Sequence, residues 1–447
     1  MHVGHCRGAV FGDSLANLLA FAGYDVTREY YINDAGGQIE KLLSTVLWRT
    51  RQALGQTCEM PEGAYPGDYL IPVGEALAKA HGDTLLTMPP EQARTIVRQT
   101  TVAAMMEEIR ADLARLRIKH DVFFSEATLT KDGDQIADTI ADLRAKGVIY
   151  EGRLPPPKGE LNNDWEDRTQ TLFKSTGYGD DVDRALQKAD GSYTYLAGDI
   201  AYHRNKINRH YDQLINVWGS DHKGYVARLK GAVSALSGGK QVFDIEISEM
   251  VNLLNKGVPV KMGKRLGNIV TVSDVVDAVG PDAVRFMMCY RAPTTVLDFD
   301  FAKVTEQSKD NPVFYVQYAH ARIASVLRTV LETFPALTAD SKTVREADLS
   351  KLDDPGELAL VKKLAEFPVV IEAAARAKEP HRVAFYLYDL ASSVHGQWTR
   401  GNDLPYLRFI QPDEPLTAAR LGLLIAVKQV ITSGLGVLGV QAPEAMR

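Results

Sequence analysis

Up to about residue 300, the apolar positions alternate between two periods. In GAVFGDSLANLLAFAG, Val10, Phe11, Leu15, Leu18, Leu19 and Ala22 recur at helical spacing, and Gly23 supplies a stop. The β-branched and aromatic DVTREYYIND predicts a strand, and QIEKLLSTVLWRTRQAL a helix. Residues 56–105 predict an insertion that starts rich in Gly and Pro and continues as helices. HDVFFSE predicts a short strand, and DQIADTIADLRAKGVIYEG a helix closed by Gly147. QLINVWG predicts an apolar strand, GYVARLKGAVSALSG the next helix and FDIEISEM a further strand. Strands alternating with helices imply an α/β domain, a parallel sheet covered by helices, over residues 1–303.

Near residue 300 the pattern changes. From KVTEQSKDNPVFYVQYAHARIASVLRTVLETF onward every period is helical, interrupted by the loop segment PALTADSKTVREADLSKLDDPG. ELALVKKLAEFPVVIEAAARA, PHRVAFYLYDLASSVHGQWTRG and TAARLGLLIAVKQVITSGLGVLG complete an all-α bundle over 304–447. The chain shows neither an internal repeat nor a low-complexity tract.

Composition changes this picture little. Of 447 residues, 45% are apolar and 24% charged, ordinary for a globular chain that buries a large core without staples. Cys6, Cys58 and Cys289 are far apart and form no CxxC pair, which argues against a zinc ribbon or disulfide framework and for a reducing, cytoplasmic setting. The net charge of −6 argues against non-specific coating of nucleic acid, but leaves room for a local basic groove. The richest apolar run, LGLLIAVKQVITSGLGVLGV, is interrupted by Lys428 and Gln429 and is expected to fall short of the ~18 residues that span a membrane. The first residues lack the basic leader and cleavage site of a signal peptide.

Two short motifs carry chemistry. HVGH places His2 and His5 three apart at the start of a helix, on one face. A helix start offers free N–H groups and the positive dipole end, so phosphate is a natural ligand, and Gly4 lets a flat base approach closely. Two surface or capping histidines are the plainer reading. VPVKMGKRLGN, residues 258–268, places Lys261, Lys264 and Arg265 in a glycine-flanked stretch after a strand. Loop lysines of this kind neutralise phosphate charge as it moves during reaction. A solvated basic turn is the plainer reading here.

Taken together, an HxGH near the first helix and a KMxK-type loop some 260 residues later resemble the signature pair of class I aminoacyl-tRNA synthetases. GSYTYLAGDIAYHRNKI, INVWGSDHKGYVARL and VGPDAVRFMMCYRAPTTVLDFDFAKVTEQSKDNPVFYVQYAHARI narrow the resemblance to the bacterial arginyl-tRNA synthetases, and FYLYDLASSVHGQWTRGN and GLGVLGVQAPEAM resemble that family's helical anticodon-binding domain. The resemblance covers essentially the whole chain. It implies a Rossmann-like, doubly wound catalytic domain followed by a DALR-type helical domain. It also implies ATP-dependent joining of L-arginine to tRNA(Arg) through arginyl-adenylate, with tRNA bound before the first step. ATP would bring Mg²⁺ as part of the substrate. No tightly bound cofactor or protein-held metal and no membrane are implied, and a monomer is expected.

By the resemblance, His2, Gly4, His5, His222, Lys261, Met262 and Lys264 hold ATP, with His2, His5, Lys261 and Lys264 stabilising charge during the reaction. Tyr195 and Asp199 match the tyrosine and aspartate that hold the arginine side chain. Their spacing puts them on one face of a helical turn, although a core tyrosine and a helix-start aspartate are the plainer readings. A guanidinium is best held by carboxylates and aromatic faces. GSDH follows a strand, where α/β sheets place ligand residues; the resemblance turns Asp221 to arginine and His222 to the nucleotide. INDAGGQ also follows a strand and offers Asp34 and Gln38. In the bundle, Tyr388, Trp398 and Arg400 are candidate tRNA contacts, with core aromatics the alternative for the first two.

Three departures stand out. Gly263 occupies the position where the family's KMSK-type signature carries Ser, and Leu266 replaces a commonly small residue, which implies a slower reaction. The family also places an N-terminal domain, a strand and a Ser/Ala-Asn-Pro-type turn before HxGH. The expectation is therefore that Met1 is an internal methionine and that the chain made alone aggregates or is weakly active. Another class I synthetase, a smaller nucleotidyltransferase sharing both motifs, and an inactive fragment that only binds RNA are the alternatives. A cysteinyl enzyme would need a zinc-thiolate site, and no Cys/His ligand cluster is present.

Overall fold

The computed structural model describes residues 1–65, 67–131, 133–155, 168–260 and 270–446. They form two compact units: Met1–Arg28, Ile109–Lys119 and Ser248–Arg447 make one; Glu29–Glu108 and His120–Ile247 make the other.

In the first unit the helix Val3–Phe21 buries Val3, Cys6, Val10, Leu15 and Leu18 along one stripe, as the apolar spacing predicts. That stripe packs against the helices Val272–Cys289, Pro355–Ala377 and Glu414–Val437. Gly23 follows at φ 97°, a conformation that suits a residue without Cβ. The bundle consists of Pro312–Thr333, Pro355–Ala377, His381–Asp403 and Glu414–Val437. Leu360, Leu387, Leu390, Leu424, Val427 and Ile431 fill its centre. Contrary to the expectation from its interruptions, Glu414–Val437 is long and apolar enough to cross a membrane by length and composition. Its apolar face is spent on the bundle, and Arg420 within it is buried against Glu357 at 2.5 Å. The small sheet of this unit pairs Leu297–Asp300 parallel with Val251–Asn255, which pairs antiparallel with Val258–Pro259.

In the second unit the strands Glu29–Ile32 and Val122–Ser125 pair in parallel, Gln213–Gly219 pairs with Val242–Ser248, and Ile149–Gly152, Gln170–Phe173 and Arg184–Ala185 form an antiparallel sheet. The parallel pairing expected from the alternation is present, but among the described residues it is divided between short sheets rather than continuous. The helix Tyr195–Ile207 packs between these strands through Leu196, Ala197, Ile200, Ala201 and Tyr202. Aromatic packing of Tyr202 on Tyr31 and Phe124, each at 4.7 Å between centroids, fixes it to the first strand pair. A second core, formed by Ile39, Leu43, Val46, Leu70, Val73, Leu77, Leu85 and Val97, joins the helix Gly36–Ala53 to the helices of the expected insertion. The last of these, Pro90–Arg115, runs unbroken past residue 105.

Candidate active site

In the first unit, His2 is the N-cap of Val3–Phe21: its extended backbone turns the ring back, and Nδ1 accepts the Gly4 N–H at 3.0 Å. The His2 and His5 rings stack at 3.8 Å, so the shared face expected from the spacing is present. A Cβ on Gly4 would lie 2.8 Å from Cε1 of His2, so a larger residue there displaces the capping ring. Arg7, fully buried one turn later, donates to the carbonyls of Glu249, Ala292 and Thr295 and ties this helix to the turns around the small sheet.

The second motif meets the first through its flanks. Val3 donates to the Val270 carbonyl and Val272 to the Met1 carbonyl, each at 3.1 Å, so His2 and Thr271 form an antiparallel bridge. On the entry side, the Asp300 carboxylate accepts the N–H groups of Lys256 and Gly257 at 3.0 and 2.7 Å, holding the turn before Val258–Pro259. Lys261, Met262 and Lys264, with Gly263, Arg265 and Leu266, lie outside the described residues, as does the side chain of Gln38.

The second unit gathers carboxylates at the carboxyl ends of its parallel strands, where α/β sheets place ligand groups. Asp34 is buried; its Oδ2 accepts from Ser125 Oγ at 2.6 Å and its Oδ1 from the Ala127 N–H at 2.9 Å. Asp34 thereby locks the Glu29–Ile32 turn to the one that carries Glu126. Burial raises the Glu126 carboxyl above the usual range, the Tyr31 hydroxyl bond opposes this, and the nearby Asp199 and Asp34 charges raise it further. Asp199 is likewise raised by burial and held down by Tyr225, whose hydroxyl donates to Oδ2 at 2.7 Å. Tyr195 and Asp199 share the helix Tyr195–Ile207, but Tyr195 is 61% exposed, its ring edge beside Gly36, and the tyrosine that touches Asp199 is Tyr225.

Asp221 and His222 lie exposed on the short 3-10 helix Ser220–Tyr225, with His222 Nε2 at 3.4 Å from Asp221 Oδ2. Tyr31, Glu126 and Tyr225 are thus neighbours of the candidate carboxylates that the motifs do not single out. Their one sequence signal is position: Glu126 directly follows a strand, and Tyr225 closes the turn that follows another. The charges of Asp199 and Asp34 both act on Glu126, while hydroxyls and a backbone N–H cap Asp199 and Asp34. Among the described residues no cluster of three or more His, Cys, Asp or Glu has the arrangement to hold a metal ion.

In the bundle, Tyr388 packs on Tyr315 and Tyr290 and donates to the Lys309 carbonyl at 3.4 Å. Trp398 lies between Phe409 and the Arg322 guanidinium, which is 5.0 Å above its ring. Arg400 grips Asp354 through both terminal nitrogens at 2.6 and 2.7 Å. Arg400 is engaged within the bundle, and Tyr388 and Trp398 pack in it half-buried.

The sequence and fold match known proteins at both ends. Residues 1–64 match the family described as tRNA synthetases class I (R), catalytic domain, and residues 316–446 match the DALR anticodon binding domain. The matched segments and the fold together define a class I aminoacyl-tRNA synthetase. An arginine–tRNA ligase of Nitrobacter winogradskyi is 57% identical over 455 aligned residues, covering 100% of this chain and 76% of that protein, and one of Rhodopseudomonas palustris is 58% identical with the same coverage. A Campylobacter jejuni structure assigned to the arginyl-tRNA synthetases superposes with a TM-score of 0.84 at 30% identity, covering all of this chain and 91% of that one. The Thermus thermophilus arginyl-tRNA synthetase, at 22% identity and a TM-score of 0.74, shares the fold. The chain belongs to the arginyl-tRNA synthetase family, and it spans about three quarters of the length of these curated relatives.

Proposed function

We propose that the chain performs this family's reaction, the ATP-dependent attachment of L-arginine to tRNA(Arg) in the cytoplasm, with the following division of labour. The arginine carboxylate attacks the α-phosphate of ATP to give arginyl-adenylate and pyrophosphate. The terminal ribose hydroxyl of the tRNA then takes the arginyl group and AMP leaves. Both steps depend on in-line positioning and on stabilised phosphate charge. His2 and His5, at the start of their helix with Gly4 between them, would hold phosphate oxygens, and His222 would lie toward the nucleotide. Lys261 and Lys264, with Met262, would close on the pyrophosphate, and magnesium would arrive with ATP.

Asp199, Asp221 and Tyr195 would receive the arginine side chain, with Glu126 supplying further negative charge and Asp34 and Gln38 completing the pocket. The bundle, residues 304–447, would take the anticodon end of the tRNA, with the outer edges of Tyr388, Trp398 and Arg400 as candidate contacts. The chain would act as a monomer.

The observation that carries the arginine assignment is Asp199, a partly buried carboxylate bonded by a neutral hydroxyl and facing further negative charge. An incoming guanidinium would relieve that repulsion. In pyrophosphate exchange with tRNA present, Asp199→Asn should raise the arginine KM roughly 10- to 100-fold, the worth of one charged hydrogen bond, and leave the ATP KM near its starting value. An unchanged arginine KM with a raised ATP KM would reverse the assignment.

A further inference from the structure

Behind Asp199, on the inner side of its helix, runs a chain of hydrogen bonds whose donors and acceptors admit only one arrangement. Lys206 Nζ is 2.9 Å from Asn216 Oδ1, Asn216 Nδ2 is 3.0 Å from His203 Nε2, and His203 Nδ1 is 2.8 Å from the carbonyl oxygen of Asp199. An ammonium can only donate, so the Asn216 carbonyl must face Lys206 and its NH₂ must face His203. Nε2 of His203 must then accept, which leaves the ring proton on Nδ1, where it donates to the Asp199 carbonyl. His203 is 1% exposed, and burial holds its pKa down to about 3, so the ring stays neutral and both nitrogens keep these roles. The ammonium lies 4.5 Å above the Tyr202 ring, and Tyr202 and Arg209 both bind Glu29 on the first strand, so the chain is anchored outside the helix that it supports.

We infer that Lys206 is a positioning residue for arginine recognition, acting through Asn216 and His203 on the backbone turn that presents Asp199. The inference rests on the arginine-binding reading of Asp199. Without the ammonium, the buried Asn216 carbonyl loses its donor, and only the Asp199 carbonyl at the far end still opposes a flip of the carboxamide. If it flips, its carbonyl faces His203 Nε2, the ring proton moves to Nε2, and the lone pair on Nδ1 is set against the Asp199 carbonyl. The turn must then shift, and the Asp199 carboxylate, one side chain away, loses its aim. Supporting groups of this kind typically change affinity by about tenfold or more when removed. Arginine in place of Lys206 keeps both the charge and the donor.

The test uses the full chain. Lys206→Met should raise the arginine KM about tenfold while the ATP and tRNA KM values stay within about twofold, and Lys206→Arg should restore the arginine KM. Long-range ¹H–¹⁵N correlations on histidine-labelled wild-type protein should show a non-titrating imidazole protonated on Nδ1, the signature expected of His203. This second measurement can overturn the relay even if the methionine variant does not fold. Protonation of that buried ring on Nε2 would overturn the relay. So would an unchanged arginine KM in Lys206→Met when Asp199→Asn raises it. An unchanged arginine KM in Asp199→Asn would instead refute the underlying reading of the pocket, so the two failures are separable.

Discussion

The Tyr225 hydroxyl donates to Oδ2 of Asp199 at 2.7 Å and caps a carboxylate that burial has already lifted above the usual aspartate range. On the proposed arginine-binding role of Asp199, arginine needs the ionised form, so kcat/KM for arginine should fall as pH drops through this raised value. Burial sets that rise, opposed by the Tyr225 bond and by the charges of His222 and Lys206. Tyr225→Phe removes a bond to the ionised form, so the acid limb should move to higher pH while the ATP KM is unchanged. The linkage to stability has the opposite sign. A carboxyl raised on folding destabilises the native state when ionised, so this group's contribution improves as pH falls through its raised pKa. A pH profile of kcat/KM for both forms checks the binding part, and an acid limb that does not move in Tyr225→Phe contradicts it.

Gly4→Ala should damage the motif through the His2 ring, which the proposed function sets on phosphate. The new Cβ would meet the His2 ring at 2.8 Å and displace the N-cap. Loss of a cap costs about 0.5–2 kcal/mol. The expected result is a small fall in Tm with a larger fall in the rate of pyrophosphate exchange. Unchanged kinetics would show that the position of the His2 ring does not matter to the reaction.

Lys264→Ala should lower kcat with little change in the arginine KM, because a lysine closing on moving charge acts mainly in the transition state. Asp300→Ala should act in the same direction. It releases the N–H groups of Lys256 and Gly257 that hold the turn before Val258–Pro259, and so loosens the approach to the same loop. A raised arginine KM with unchanged kcat in either variant would move the loop from phosphate chemistry to substrate binding.

Asp13→Ala should be among the most damaging substitutions away from the site. Asp13 Oδ2 is 2.5 Å from Nη2 of Arg285, a guanidinium that is fully buried and also donates to the carbonyls of Leu116 and Leu438. Removing one partner of a buried pair costs about 3–5 kcal/mol. Urea titration should show that loss against a total stability of about 5–15 kcal/mol. A change under ~1 kcal/mol would mean that the remaining carbonyls satisfy Arg285 alone.

Arg400→Ala separates two roles for one residue. Asp354 is held below the ordinary aspartate range chiefly by its hydrogen bonds to Arg400. A depressed carboxyl contributes stability above its usual pKa and loses that contribution as pH falls through the lowered value. The Tm difference between wild type and Arg400→Ala should therefore be present at neutral pH and shrink in acid. A raised tRNA KM at unchanged Tm would instead favour direct contact with RNA.

Local chemistry was legible from the residues alone. Helical spacing located the apolar stripe from Val10 to Leu18, and glycines at 23 and 147 marked helix ends because only they adopt positive φ without strain. HVGH announced a helix start, and the resemblance pointed to Asp199, because both are short-range patterns. What spacing could not supply is which distant groups share a low-dielectric space. Nothing in the sequence pairs Tyr225 with Asp199, sets Glu126 beside it, or runs a proton order from Lys206 to His203. Nor does chain order reveal that residues 1–28 share a compact unit with the helical bundle through Asp13 and Arg285. Hydrogen bonds across large sequence separations, and the burial that shifts a carboxyl, exist only once the elements pack. Tertiary structure alone therefore turned Asp34 from a free pocket carboxylate into a clamp on Ser125 and Ala127, and Arg400 from an open cation into the partner of Asp354.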